Sequence, residues 1–182
     1  MFGRSGEDLL KQWKRTLERG AHDAMADAVR EVGVEALEQM QHNLSGAEVS
    51  WSGGEFRVNV RTGNLRRHCR LEYPFAGDPH SAYVFNNAAY AQDLEQGLTG
   101  EERKDRLLFG GKAPKENKQG RPYKTIPGGK GSLIPFWTVH ADSRLRDQAP
   151  RPFAQATAEQ MQPRAVELVG NAVIDSIVGG SS

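Results

Sequence analysis

Nine apolar residues, Leu10, Trp13, Leu17, Ala21, Met25, Ala28, Val32, Ala36 and Met40, recur at steps of three and four near the start of the chain. That is the helical period, and Lys, Arg, Glu, Asp and Gln fill the other faces. A stripe of this length predicts helix from about Gly6 to Gln41. Gly20 and Gly33 interrupt it, and each costs about 1 kcal/mol against alanine in a helix interior. The expectation is a first helix to about Arg19, a break at Gly20, and a second helix to about His42. Much of the stripe is alanine, which permits close approach of another backbone or of a neighbouring subunit.

The period then changes. Asn43 to Gly54 is rich in Asn, Ser and Gly and reads as a turn. Asn43-Leu44-Ser45 matches a glycosylation sequon, which carries no weight without a secretory signal. From Glu55 to Arg61 the residues alternate, with Phe56, Val58 and Val60 on one side, as in a half-buried strand. Further strands are expected within Arg67–Tyr73 and Ser81–Asn86, the latter with Tyr83 and Phe85 on one face. Asn87 can cap a short helix running to Gln96, with Gly97 as its left-handed C-cap. Tyr90 and Leu94, four apart, share a face of it.

Leu98 to Pro135 has a different character. It holds seven of the 20 glycines and four of the nine prolines, and Thr99–Lys130 carries nine Lys/Arg against four Asp/Glu, an excess of +5. The cations are Arg103, Lys104, Arg106, Lys112, Lys115, Lys118, Arg121, Lys124 and Lys130. The stretch reads as a long loop insertion at residues 98–135, and loops of this length are functional or disordered. Leu133–Val139 reads as a strand rejoining the sheet, with Pro135 at an edge or bulge. Pro150-Arg151-Pro152 opens a C-terminal helical stripe from Phe153 to Ile177, since proline suits a first helical turn. Pro163 inside the stripe is expected to kink it or to start a fresh helix. Residues 179–182 read as a flexible tail.

These elements predict an α+β fold: a long N-terminal helical region, a small antiparallel sheet and a C-terminal helix. A length of 182 residues fits one domain spanning 1–182 with its insertion. At 37% apolar residues the chain suggests long loops or surfaces completed by partners. The net charge is +1, so the chain as a whole is no polyanion binder. One cysteine, Cys69, excludes an intrachain disulfide framework and fits assembly in a reducing cytoplasm. No apolar run reaches the ~18 residues of a membrane span, and the first residues lack the apolar core of a signal peptide.

The residues that carry chemistry elsewhere are poorly arranged here. Gly128-Gly129-Lys130-Gly131-Ser132 has a phosphate-loop flavour, but Gly131 stands where Ser or Thr must follow the lysine. His68 and Cys69 are adjacent, so in a strand they face opposite ways, and Cys69 reads as a small buried hydrophobe. His22, His42, His80 and His140 are scattered without paired-ligand spacing. Glu101-Glu102 reads as solvated surface. Glu95 is unusual because it sits in the last turn of a short helix, where the dipole disfavours an acid. A cationic partner, Arg151 or Arg66, would relieve it. The basic stretch could meet phosphates, though Phe109 and Tyr123 are its only aromatics. No catalytic residue, cofactor or metal is expected.

Three stretches remain. Arg61-Thr62-Gly63-Asn64-Leu65-Arg66-Arg67 follows a strand; Ala89-Tyr90-Ala91-Gln92-Asp93-Leu94-Glu95-Gln96-Gly97 follows another; Ala149-Pro150-Arg151-Pro152-Phe153-Ala154 opens the last helix. Together and in this order they resemble the signatures of the tail-completion (neck) proteins of tailed bacteriophages, of the lambda minor tail protein Z type. The matching residues are Thr62, Gly63, Leu65 and Arg66; Tyr90, Ala91, Glu95 and Gly97; and Arg151, Pro152 and Phe153. The resemblance covers Leu9–Gly97 and Phe136–Ile177. It departs at the 98–135 insertion, where that family has a short connection, and at His68-Cys69, where a serine is common.

The resemblance implies a non-enzymatic virion protein, assembled in the host cytoplasm. It would form a ring, hexameric by the resemblance, at the head-proximal end of the tail. Its partners would be neighbouring neck and tail-tube or terminator proteins, with the genomic DNA in the central channel and no membrane. A tail terminator or head-closure ring is an alternative within the same class. A nucleic-acid-binding protein using the basic stretch is the alternative from another class.

Overall fold

The computed structural model describes residues 6–58, 63–73, 80–128 and 136–179. It is an α+β arrangement with a long N-terminal helix, small antiparallel sheets and a C-terminal helix. The chain forms two compact units: one of Met1–Val58, Gly63–Asn87 and Phe153–Ser182, the other of Asn59–Thr62 and Ala88–Pro152.

The first unit is built on α1 (Gly6–Asn43) and α5 (Phe153–Gly179). No break occurs at Gly20. The surrounding helix formers and the i,i+4 pair Lys14–Glu18 carry α1 through one glycine's propensity cost. α5 likewise runs unbroken through Pro163. Three side-chain contacts set the two helices antiparallel: Asn43 Nδ2 donates to Thr157 Oγ1 at 3.0 Å, Gln39 Nε2 to Gln160 Oε1 at 2.9 Å, and Arg164 Nε to Glu35 at 3.2 Å.

Where a turn was expected, β1 (Glu48–Trp51) pairs with β2 (Gly54–Arg57) as a hairpin, with Val49 opposite Phe56. Val49, Phe56 and Val58 are buried, as alternation requires, whereas Val60 and Arg61 lie outside the described residues. The hairpin is tied to α5 through Glu159, whose carboxylate accepts from Ser52 N and Ser52 Oγ, both at 2.7 Å. A one-turn helix α2 (Asn64–Arg67) leads into β3 (Cys69–Glu72), which pairs with β4 (Tyr83–Asn86). The core of this unit gathers Ala26, Ala28, Met40, Leu44, Val49, Phe56, Phe153 and Ala156.

A polar seam crosses that core. Asn43 and Thr157 are buried. Asn43 also accepts from Gln39 and donates to Gln160, and Gln160 donates to the Ser50 carbonyl at 3.3 Å. Asn43, the sequon residue, is therefore an interior hydrogen-bonding group, satisfied as a buried amide must be.

The second unit replaces the expected loop. Residues 98–135 hold α4 (Gly100–Phe109), β5 (Lys115–Glu116) and β6 (Pro122–Pro127). β7 (Phe136–His140) does not rejoin the earlier strands. It pairs with β6, giving a separate sheet in the order β5-β6-β7. α4 starts on a capping box: the Glu102 amide donates to Thr99 Oγ1 at 3.2 Å, and the Thr99 amide to the Glu102 carboxylate at 2.8 Å. The Thr99 amide and then the Thr99 hydroxyl, which donates to the same carboxylate at 2.9 Å, hold Glu102 below the usual carboxylate range. Leu108 of α4 and Val139 of β7 are fully buried.

Candidate functional site

The first motif forms a corner. Gly63 takes a left-handed conformation (φ 65°, ψ 12°) at the N-cap of α2, which favours glycine there. Thr62 lies outside the described residues. The carbonyl of half-buried Leu65 collects three donors: His68 N at 3.0 Å, Asn86 Nδ2 at 2.7 Å and Cys69 Sγ at 3.7 Å. Asn86, at the end of β4, thus fastens the corner to the neighbouring strand. Arg66 points its charge into solvent. Cys69 is buried, and burial raises its thiol pKa against the lowering effect of the Asn86 hydrogen bond and of Arg70 and Arg66. A thiol so placed is a packing group rather than a nucleophile.

The second and third motifs meet. α3 (Ala91–Gln96) buries Ala91 and Leu94 and leaves Tyr90 and Gln92 exposed. Its N-cap is Tyr90, not Asn87, because the Ala91 amide is already taken by the Ala88 carbonyl at 2.9 Å. Gly97 closes the helix with φ 76° and ψ 173°. This is not the left-handed cap expected: the extended ψ throws the chain straight into a bridge between Leu98 and Gln148. Both bridge bonds form, Leu98 N to Gln148 O at 3.0 Å and Gln148 N to Leu98 O at 2.7 Å. The Arg151 amide then donates to the Leu94 carbonyl at 2.8 Å. The helix end carrying Glu95 and Gly97 is therefore stitched by main chain to the segment that leads to Pro152. The ion pair described on α3 belongs to Asp93, which meets Arg106 of α4.

Phe153 sits at the start of α5 and is 2% exposed, an anchor inside the core. Its carbonyl accepts from Thr157 Oγ1 at 2.7 Å, which links the third motif to the polar seam at Asn43.

The predicted cations divide into two groups. Lys104 pairs with Glu101 at 2.5 Å, Arg121 with Asp142 at 3.3 Å, and Arg106 with Asp93. Arg103 donates to the Arg146 carbonyl, and Lys124 Nζ to the Gly110 carbonyl at 3.0 Å. These five serve the unit's own structure. Lys112, Lys115 and Lys118 are exposed around β5, and Lys130 lies outside the described residues.

Register divides the sheet's two faces. Val139, Lys124, Ile126 and Trp137 share one, whereas Lys115, Tyr123, Thr125, Phe136, Thr138 and His140 share the other. On this second face Phe136 is 61% exposed, and the Tyr123 and His140 rings lie 5.5 Å apart. Sequence reasoning missed it because Leu133–Val139, with Phe136, was read as a strand rejoining the other sheet and His140 as an isolated histidine. The two units also differ in charge: 13 Lys/Arg against 8 Asp/Glu in the second, net +5, and 11 against 15 in the first, net −4.

No family model, curated protein or solved structure matches the chain.

Proposed function

We propose that the chain is a structural subunit of a tailed-bacteriophage neck, forming a ring at the head-proximal end of the tail. The observation that carries this reading is the junction of the second and third motifs. Leu94, Gly97 and Leu98 are joined by main-chain contacts to Gln148–Arg151, so two separated signatures act as one joint. A joint made of backbone shape rather than reactive groups is what an assembly part needs, because ring closure depends on subunit geometry. The α+β frame with a long helix at each end is the one that the resemblance implies. Electron microscopy of the purified protein, alone and on tails, is expected to show closed rings at the tail's proximal end. Uniform monomers that never decorate tails would overturn the reading.

A second reading, nucleic-acid binding, draws on the β5–β7 face. Phe136, Tyr123 and His140 offer rings there beside Lys115, in a unit of net +5. It predicts DNA binding whose affinity falls steeply with salt and weakens when Lys112, Lys115 and Lys118 become glutamate. Binding unaffected by these changes would remove it.

A further inference from the structure

The two long helices expose apolar side chains in complementary shapes. Contacts between Asn43 and Thr157, Gln39 and Gln160, and Glu35 and Arg164 fix the register of α1 against α5. Carried along both helices, that register sets Gly179 level with about Gly20, so residues 6–19 of α1 extend beyond α5 by roughly 20 Å. On this projection Leu10 and Trp13 are 66% and 56% exposed. They are three apart and share a face.

α5 supplies the counterpart. Val166, Gly170, Ile174 and Val178 form one i,i+4 row along its outer side. Val166 is 69% exposed, Ile174 57% and Val178 65%. Gly170 lies in the row with open space over it, so Val166 and Ile174 flank a shallow notch one turn to either side. A notch between two aliphatic side chains over a glycine suits a large aromatic ring.

Trp13 cannot reach that notch in its own molecule. By the register above, Gly170 is level with about Val29 of α1, roughly 24 Å along a rigid helix from Trp13. The two surfaces can therefore meet only between copies. Charge agrees with this pairing. Residues 10–19 carry Lys11, Lys14, Arg15 and Arg19 against Glu18, whereas 165–179 carry Glu167 and Asp175 and no Lys or Arg. Arg164 holds Glu167 at 3.1 Å and Lys14 lies 3.8 Å from Glu18, which leaves Lys11, Arg15 and Arg19 on the projection to meet Asp175 on α5.

We infer that the α1 projection of one copy docks on the α5 row of the next, with Trp13 seated over Gly170 between Val166 and Ile174. This rests on the ring reading and names its subunit contact. The contact is heterologous, using different surfaces on the two copies, so its repetition gives a closed ring or an open filament rather than a two-fold dimer.

The test uses the full chain with Leu10→Cys in one preparation and Ile174→Cys in another; Cys69 is buried and does not compete. Mild oxidation of the mixture is expected to give a cross-linked dimer that neither preparation gives alone. In sedimentation, Trp13→Ala is expected to raise the dissociation constant about 30-fold, as loss of a central tryptophan does, with an unchanged unfolding midpoint at concentrations where both proteins are monomeric, because the residue is exposed in the single chain. Cross-links within the Leu10→Cys preparation alone would overturn the heterologous contact. Rings that persist with Trp13→Glu and Ile174→Glu would overturn this interface and leave the ring reading standing. Wild-type protein that does not self-associate, or a mixture of the two cysteine variants that does not cross-link, would overturn the interface, and absence of rings on tails would remove the ring reading separately.

Discussion

Gly97 lies so close to Gln148 that a Cβ on it would stand 2.6 Å from the Gln148 carbonyl oxygen. It would also stand 2.8 Å from Pro150 N, and the backbone there has φ 76°. Gly97→Ala therefore combines positive-φ strain with a main-chain collision. The expected loss is about 2–4 kcal/mol in urea unfolding followed by circular dichroism. An unchanged midpoint would mean that the Leu98–Gln148 bridge is not formed in solution.

Gly20 is the opposite case. It sits inside α1, and a Cβ on it would meet nothing within 4 Å. Gly20→Ala is expected to stabilise the helix by up to about 1 kcal/mol. A destabilised variant with lower helicity would restore the break that its sequence position suggests.

Phe153 anchors the start of α5 from inside the core. Phe153→Ala is expected to cost about 3–5 kcal/mol, through lost transfer energy and the cavity left behind. A conservative Phe153→Leu change should recover most of it in the same unfolding assay.

Glu159 gives the fold an acid-sensitive tie. The Ser52 side chain and then the Ser52 amide, with a further bond from Gln155, lower its pKa below the ordinary carboxylate value. A depressed folded pKa contributes stability above the unfolded pKa, and that contribution is lost as the pH falls through the lowered folded value. Glu159→Gln should therefore melt below the wild type at pH 7. The gap should close as the pH falls below about 4, near the ordinary carboxylate pKa. A gap independent of pH would show that the carboxylate charge is not what holds the hairpin.

Much of this molecule is legible in its sequence where a single period dominates. The helical stripes, the Phe56/Val58 alternation and the burial of Cys69 follow from local spacing. The second unit was hidden because its charges and glycines resemble a solvated loop. Yet Thr99-Gly100-Glu101-Glu102 followed by Leu107 and Leu108 is a capping box ahead of an apolar pair, and it could have marked α4. β1 was concealed by the Asn43–Gly46 turn before it, although Val49 and Trp51 alternate toward the Ser52-Gly53 corner. The meeting of the second and third motifs has no local signal. It depends on a main-chain approach across about fifty residues, which a lone glycine permits and no periodicity announces.

Pro163 has a mechanical consequence. Lacking an amide hydrogen, it leaves the Glu159 carbonyl without its regular helical donor, so the main-chain ladder of α5 has a missing rung. Before that rung, α5 is gripped by the Asn43 seam and by the Ser52 clasp. Beyond it come Val166, Ile174 and Val178, with the Glu35–Arg164 pair straddling the soft turn. The helix is thus least stiff at this turn, with one fewer main-chain bond to resist bending there.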